Sequence, residues 1–206
     1  MKRVLLVAVV VALSVATRAS ARDEGTPRAN VLVIGLERES ITSNYYHDRL
    51  IAEMIEVPVD SLAGYFNRAI VSRLPDASRG PARFICREGL SRRDVLPAGT
   101  CYEGEEERAR GDLSRVSPDS LASLLDAFDA DFLLLVSLYY MKQESEPFPY
   151  LFHIVNYEVY DHHKVKRYEG SARFHTTGLL PAPRLDKYYK KITSQIISQV
   201  NRVIQQ

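Results

Sequence analysis

The sequence contains no tryptophan, only two cysteines, and no surplus of either charge. Its 27 Lys and Arg stand against 26 Asp and Glu, for a formal charge of +1. That balance gives no sign of the concentrated basic face on which nucleic-acid binding depends, and no nucleic-acid partner is expected. Two cysteines cannot supply a Cys-rich metal site, and no closely spaced ligand set accompanies them. The signatures of common enzymes are missing as well: G-x-S-x-G, S-x-x-K, H-E-x-x-H and a phosphate-cradling glycine loop. The longest apolar run, Val4 to Ala16, falls short of the ~20 residues that span a bilayer. No catalytic residue, cofactor or metal is therefore expected.

That short run has a different use. Lys2 and Arg3 precede it and Ala19-Ser20-Ala21 follows it, the three-part pattern of a secretory signal peptide. The expected organisation is a signal peptide over 1–21, cut after Ala21, then a polar leader over 22–29 and one domain over 30–206. No cysteine lies near the cut to carry a lipid. Cleavage removes three of the 27 basic residues (Lys2, Arg3 and Arg18), leaving 24 against 26 acidic ones, about −2. The mature chain is expected in the periplasm or outside the cell. In that oxidising setting Cys86 and Cys101 are expected to pair, closing an insertion over 86–116. A loop of this size gains about 3 kcal/mol in the chain-entropy account.

Hydrophobic patterning gives the architecture. Asn30 to Leu36 reads as a strand covered on both faces, and so does Phe132 to Tyr140, where both alternating sets are apolar. Leu151 to Tyr160 and Val165 to Phe174 continue the second run as a meander. In the former, Leu151, His153, Val155, Tyr157 and Val159 share one face, and the strand is expected to be half-covered. In the latter, Arg167, Glu169, Ser171, Arg173 and His175 face water. Helices are expected from an Asp60 cap through Leu74, from a Ser117 cap with Pro118 in the first turn, and over Leu185 to Ile204. The fold class is α/β (α+β): a mixed sheet with a C-terminal three-strand antiparallel meander packed by helices in a single domain.

Function is harder to read. His162 and His163 adjoin Asp161 in a turn, where adjacent side chains diverge, so a polar turn is expected there. Arg110-Gly111-Asp112 matches an adhesion tripeptide that is common by chance. Asp-Ser-Leu at 60–62 and 119–121 is explained by helix capping. Tyrosine is the enrichment, with twelve in the chain. Its apolar ring and polar tip suit interfaces as well as core edges. Tyr45, Tyr46, Tyr139, Tyr140, Tyr150 and Tyr188 form the candidate binding surface.

The order strand, helix, strand, helix, meander, long helix resembles the periplasmic folds of the TolB amino-terminal domain, CsgG and LpoB. Asp129 to Ser137 is similar to their strand entry. Val159 to Lys164 is similar to their hairpin, with Asp161 in the turn but no glycine after it. The resemblance covers roughly residues 30 to 204 and implies a non-catalytic module that binds another cell-envelope protein. It carries over no functional residue, and the lipid-anchor cysteine of CsgG and LpoB is missing. Two alternatives remain open: a small-ligand or lipid carrier with a tyrosine-lined pocket, and a hydrolase built around His47, His153 or His175. Oligomeric state is left open.

Overall fold

The computed structural model describes residues 28–87, 101–103 and 109–206. The expected signal peptide and most of the expected insertion lie outside the described residues. Among the described residues, eight strands and five α-helices follow in order: β1 (Ala29–Ile34), β2 (Ile41–Ser43), α1 (Asp48–Met54), α2 (Leu62–Ile70), α3 (Leu74–Ala77), β3 (Ala82–Ile85), β4 (Cys101–Glu103), β5 (Arg110–Asp112), α4 (Pro118–Ala127), β6 (Phe132–Glu144), β7 (Tyr150–Asp161), β8 (Lys166–Thr176) and α5 (Ala182–Ile204).

The main sheet runs β3-β1-β6-β7-β8, and a small ribbon pairs β4 with β5. β1 is parallel to both β3 and β6, while β6, β7 and β8 form the antiparallel meander. β6 therefore sits inside the sheet, as its two apolar faces require. β2 rejoins β6 further along, with Ile41 opposite Tyr139, so β1 and β2 are one strand interrupted by residues 35–40. Asn67 bridges that interruption. Its Oδ1 accepts from Leu36 N at 2.8 Å and its Nδ2 donates to Leu36 O at 2.9 Å, replacing the missing ladder bonds. A Cβ at Gly35 would collide with the same amide, which accounts for the glycine.

One face of the sheet is covered by α1, α2, α3 and α5, the other by α4, the segment after β5, and β5 itself. The α5 stripe of Leu185, Tyr189, Ile192, Ile196 and Val200 is buried as its periodicity predicts. Ser117 caps α4 by accepting from Ser120 N at 3.0 Å, with Pro118 in the first turn. The helix predicted from Asp60 differs. A 3-10 turn at Val59–Ser61 precedes α2, and a second at Val71–Arg73 separates α2 from α3. Pro75 causes the second break, because it has no N–H to give the Val71 carbonyl.

β8 keeps its wet face, with Glu169, Ser171, Arg173 and His175 exposed and Ala172 and Phe174 buried. The expectation of a half-covered β7 is corrected: Asn156, Glu158 and Tyr160 on its second face are buried too. The reason is β5, which lies over that face.

Candidate binding surface

The titratable groups of the meander are gathered into two buried clusters. On the α5 side, Tyr139 Oη lies 2.7 Å from His153 Nδ1 and 3.2 Å from Tyr189 Oη. His153 Nε2 lies 3.3 Å from Thr176 Oγ1, which donates to Gly178 O at 2.6 Å. Phe66 stacks on Tyr139 at 4.1 Å and Phe174 on His153 at 4.3 Å. Burial holds the imidazole down to about 3, so it stays neutral. Burial also pushes the Tyr139 hydroxyl well above its ordinary range. These groups satisfy one another inside an aromatic core. The volume where the carrier reading needs a pocket is occupied by Tyr139, Tyr189, Phe66 and Phe174 in mutual contact.

The second cluster lies under β5. Glu158 is fully buried, and its Oε1 accepts from Ser137 Oγ at 3.0 Å and from Gly111 N at 3.3 Å. Asn156 Nδ2 donates to Ala109 O at 3.0 Å, and Tyr160 Oη to Gly111 O at 3.4 Å. Three alternate residues of β7 thus read the backbone of 109–111 as they would a bound peptide. Gly111 permits the close approach, since a Cβ there would lie 2.5 Å from Leu135 Cδ2. Glu158 Oε2 has no hydrogen-bond partner among the described residues. Burial raises the Glu158 carboxyl to about 7, against the bonds from Ser137 and Gly111 and the Arg110 charge 4.0 Å away, which lower it. The sequence carried a signal for this site that went unread: Asn156 and Glu158 are polar within an otherwise apolar strand, and Ser137 interrupts its neighbour.

The six predicted tyrosines divide. Tyr139 and Tyr140 are buried on opposite faces of β6, in separate core clusters, and cannot line a surface. Strand alternation turns consecutive residues apart, so their adjacency could not place them together. The other four fall on both faces of the sheet: Tyr150 shares its face with Phe152 and His175, while Tyr188 lies on the α5 face. Tyr46 Oη donates to Gln143 Oε1 at 3.3 Å, and the Tyr45 and Tyr46 rings meet edge-on at 5.0 Å. Tyr150 pairs with Glu144 one step along, and its ring meets His175 at 5.3 Å. Tyr188 stacks on Phe174 from α5 at 4.9 Å. Tyr45 is 70% exposed, and Phe148 in the hairpin, missed in the sequence, is 63% exposed.

The remaining histidines build no hydrolytic centre among the described residues. His47 caps α1 through Leu50 N at 3.2 Å, His162 Nε2 contacts Ala130 O at 2.8 Å, and His175 is an exposed ring against Tyr150 and Phe152. No three His, Cys, Asp or Glu side chains among the described residues converge as metal ligands. No described helix is long and apolar enough to cross a membrane. The expected Cys86–Cys101 bridge is not found. Cys86 is a free, partly buried thiol that donates to Val71 O at 3.4 Å, a carbonyl that also accepts from Leu74 N. Burial pushes that thiol up to about 12. The Cys101 side chain lies outside the described residues.

The described residues form a single-domain α/β module with a mixed sheet, on which Tyr45 and Phe148 are the exposed aromatic rings. No protein-family model and no curated protein matches the sequence. Among solved structures, the hypothetical protein CT253 from Chlamydia trachomatis is similar with a TM-score of 0.52 at 13% identity, covering 84% of this chain and 96% of that one. At that identity the likeness speaks to the fold. The LpoB C-terminal domain from Salmonella enterica scores 0.35 at 9% identity, covering 74% and 86%. Lipoprotein GNA1162 from Neisseria meningitidis scores 0.33 at 10%, covering 82% and 99%. LpoB, named above on sequence grounds, is thus among the similar structures.

Proposed function

We propose that this chain is a non-catalytic accessory module of a bacterial cell envelope, exported through residues 1–21, that works by binding another envelope protein. The observation that carries the reading is the aromatic end of the sheet. Tyr45 and Phe148 leave large rings in water; Tyr45 meets Tyr46, and Tyr150 and Phe152 meet His175. Exposed aromatic groups of this kind are the usual anchors of protein interfaces. The non-catalytic part is supported by where the candidate acids and bases sit: His153 is neutral within the core and Glu158 is sealed beneath β5.

The test is a cross-linking pull-down from envelope extract with the native chain and a Tyr45→Ser/Phe148→Ser variant. The native chain should recover a stoichiometric partner. The variant should lose it at unchanged melting temperature, since both side chains are exposed. A native chain that recovers no partner after cross-linking overturns the proposal.

A further inference from the structure

β8 is an end strand: among the described residues it pairs only with β7. The Arg173 N–H points away from β7, to Gln195 Oε1 at 3.3 Å. Donors alternate along an antiparallel ladder, so Glu169 and Ser171 also turn their backbone groups outward, while Gly170 and Ala172 bond to β7. The side chains of Glu169, Ser171 and Arg173 are exposed along the same edge. An open strand of this length is a template for pairing with another strand.

The charge order along the edge selects the partner. Glu169, Ser171 and Arg173 read as negative, neutral, positive, a pattern that complements itself when reversed. We infer that β8 pairs antiparallel with β8 of a second copy, Ser171 opposite Ser171, joining two sheets across a two-fold axis. In that register each Glu169 faces Arg173 of the other copy, on both sides of the axis. The outward backbone groups then meet as hydrogen-bonded pairs, so register, charge and ladder parity agree. Any shift by one residue would set outward groups against inward ones.

The existing contacts suit this arrangement. Arg110 Nε and Lys166 Nζ, each at 3.0 Å, hold the Glu169 carboxylate in place. The Arg173 guanidinium has no ion-pair partner among the described residues, whereas Arg167 is already committed to Asp161 at 2.7 Å. Gln195 covers one outward donor in the isolated chain, and the Glu169 carbonyl of the second copy would replace it.

Sedimentation equilibrium on the full chain tests the inference, up to about 100 μM, where a weak homodimer is populated. The native chain should dimerise. Arg173→Glu and Glu169→Arg should each weaken the dimer about tenfold, the scale of two exposed ion pairs. The Glu169→Arg/Arg173→Glu double variant should regain it, because the pattern again complements itself. Ser171→Pro removes an outward N–H, which an edge strand tolerates, together with the hydroxyl that meets Asn156 Oδ1 and Arg110 Nη2; it should abolish association with an unchanged circular dichroism spectrum, while Ser171→Ala, which loses the hydroxyl alone, should still dimerise. A native chain that stays monomeric, a double variant that fails to recover, or a β8 edge protected from hydrogen exchange only by a strand of a different protein each overturns the inference.

Discussion

Replacing Glu158 by Gln should flatten the pH dependence of stability. The native carboxyl is fully buried and sits at about 7, against 4.5 for the free group. A carboxyl raised on folding favours the folded state most when protonated. Its contribution is therefore complete below about pH 4.5 and is lost as pH rises through about 7. The interval between those values, at about 1.4 kcal/mol per unit, amounts to about 3 kcal/mol. Gln keeps an oxygen for Ser137 Oγ and Gly111 N but cannot ionise. Its amide hydrogens fall where Oε2 has no described partner, which adds an offset independent of pH. The slope is the readout. Urea unfolding at pH 5, 6, 7 and 8 should show the native chain losing about 2–3 kcal/mol relative to the variant as pH rises. Parallel curves for the two proteins would refute the reasoning, because they would mean that Glu158 titrates alike folded and unfolded.

Three further outcomes follow from the same packing. Gly111→Ala forces a methyl to within 2.5 Å of Leu135 Cδ2 and should cost about 1–3 kcal/mol in a denaturant melt. Tyr139→Phe leaves His153 Nδ1 without its 2.7 Å neighbour and should cost about 1–3 kcal/mol by the same measurement. In a Cys101→Ser background, Cys86 should resist a thiol reagent at pH 7.5 until denaturant is added, since burial pushes it up to about 12 and the thiolate is the reactive form.

The sheet was legible because β6 announces itself: two apolar faces over Phe132 to Tyr140 demand an interior position, and the alternation in β8 demands one wet face. The caps at Ser117 and the stripe of α5 were equally local, and local rules decided them. What could not be read was set by contacts distant in sequence. Tyr139 and Tyr140 looked like one surface feature, yet Phe66 and Tyr189 close over the first and residues of the opposite core over the second. Glu158 looked half-exposed until β5, forty-seven residues earlier, came to lie on it. Cys86 looked like half of a disulfide. Its thiol instead donates to the Val71 carbonyl, a contact fifteen residues back in the chain that no local rule announces.

The central claim is that the hairpin end of the sheet meets another envelope protein, and site-specific photocross-linking addresses it directly. A photoreactive phenylalanine analogue would replace Phe148 in one preparation and Lys190, on the outer side of α5, in another. The account predicts one discrete adduct from position 148 on illumination in intact cells and none from position 190. No adduct at 148, or the same adducts from both positions, would contradict it.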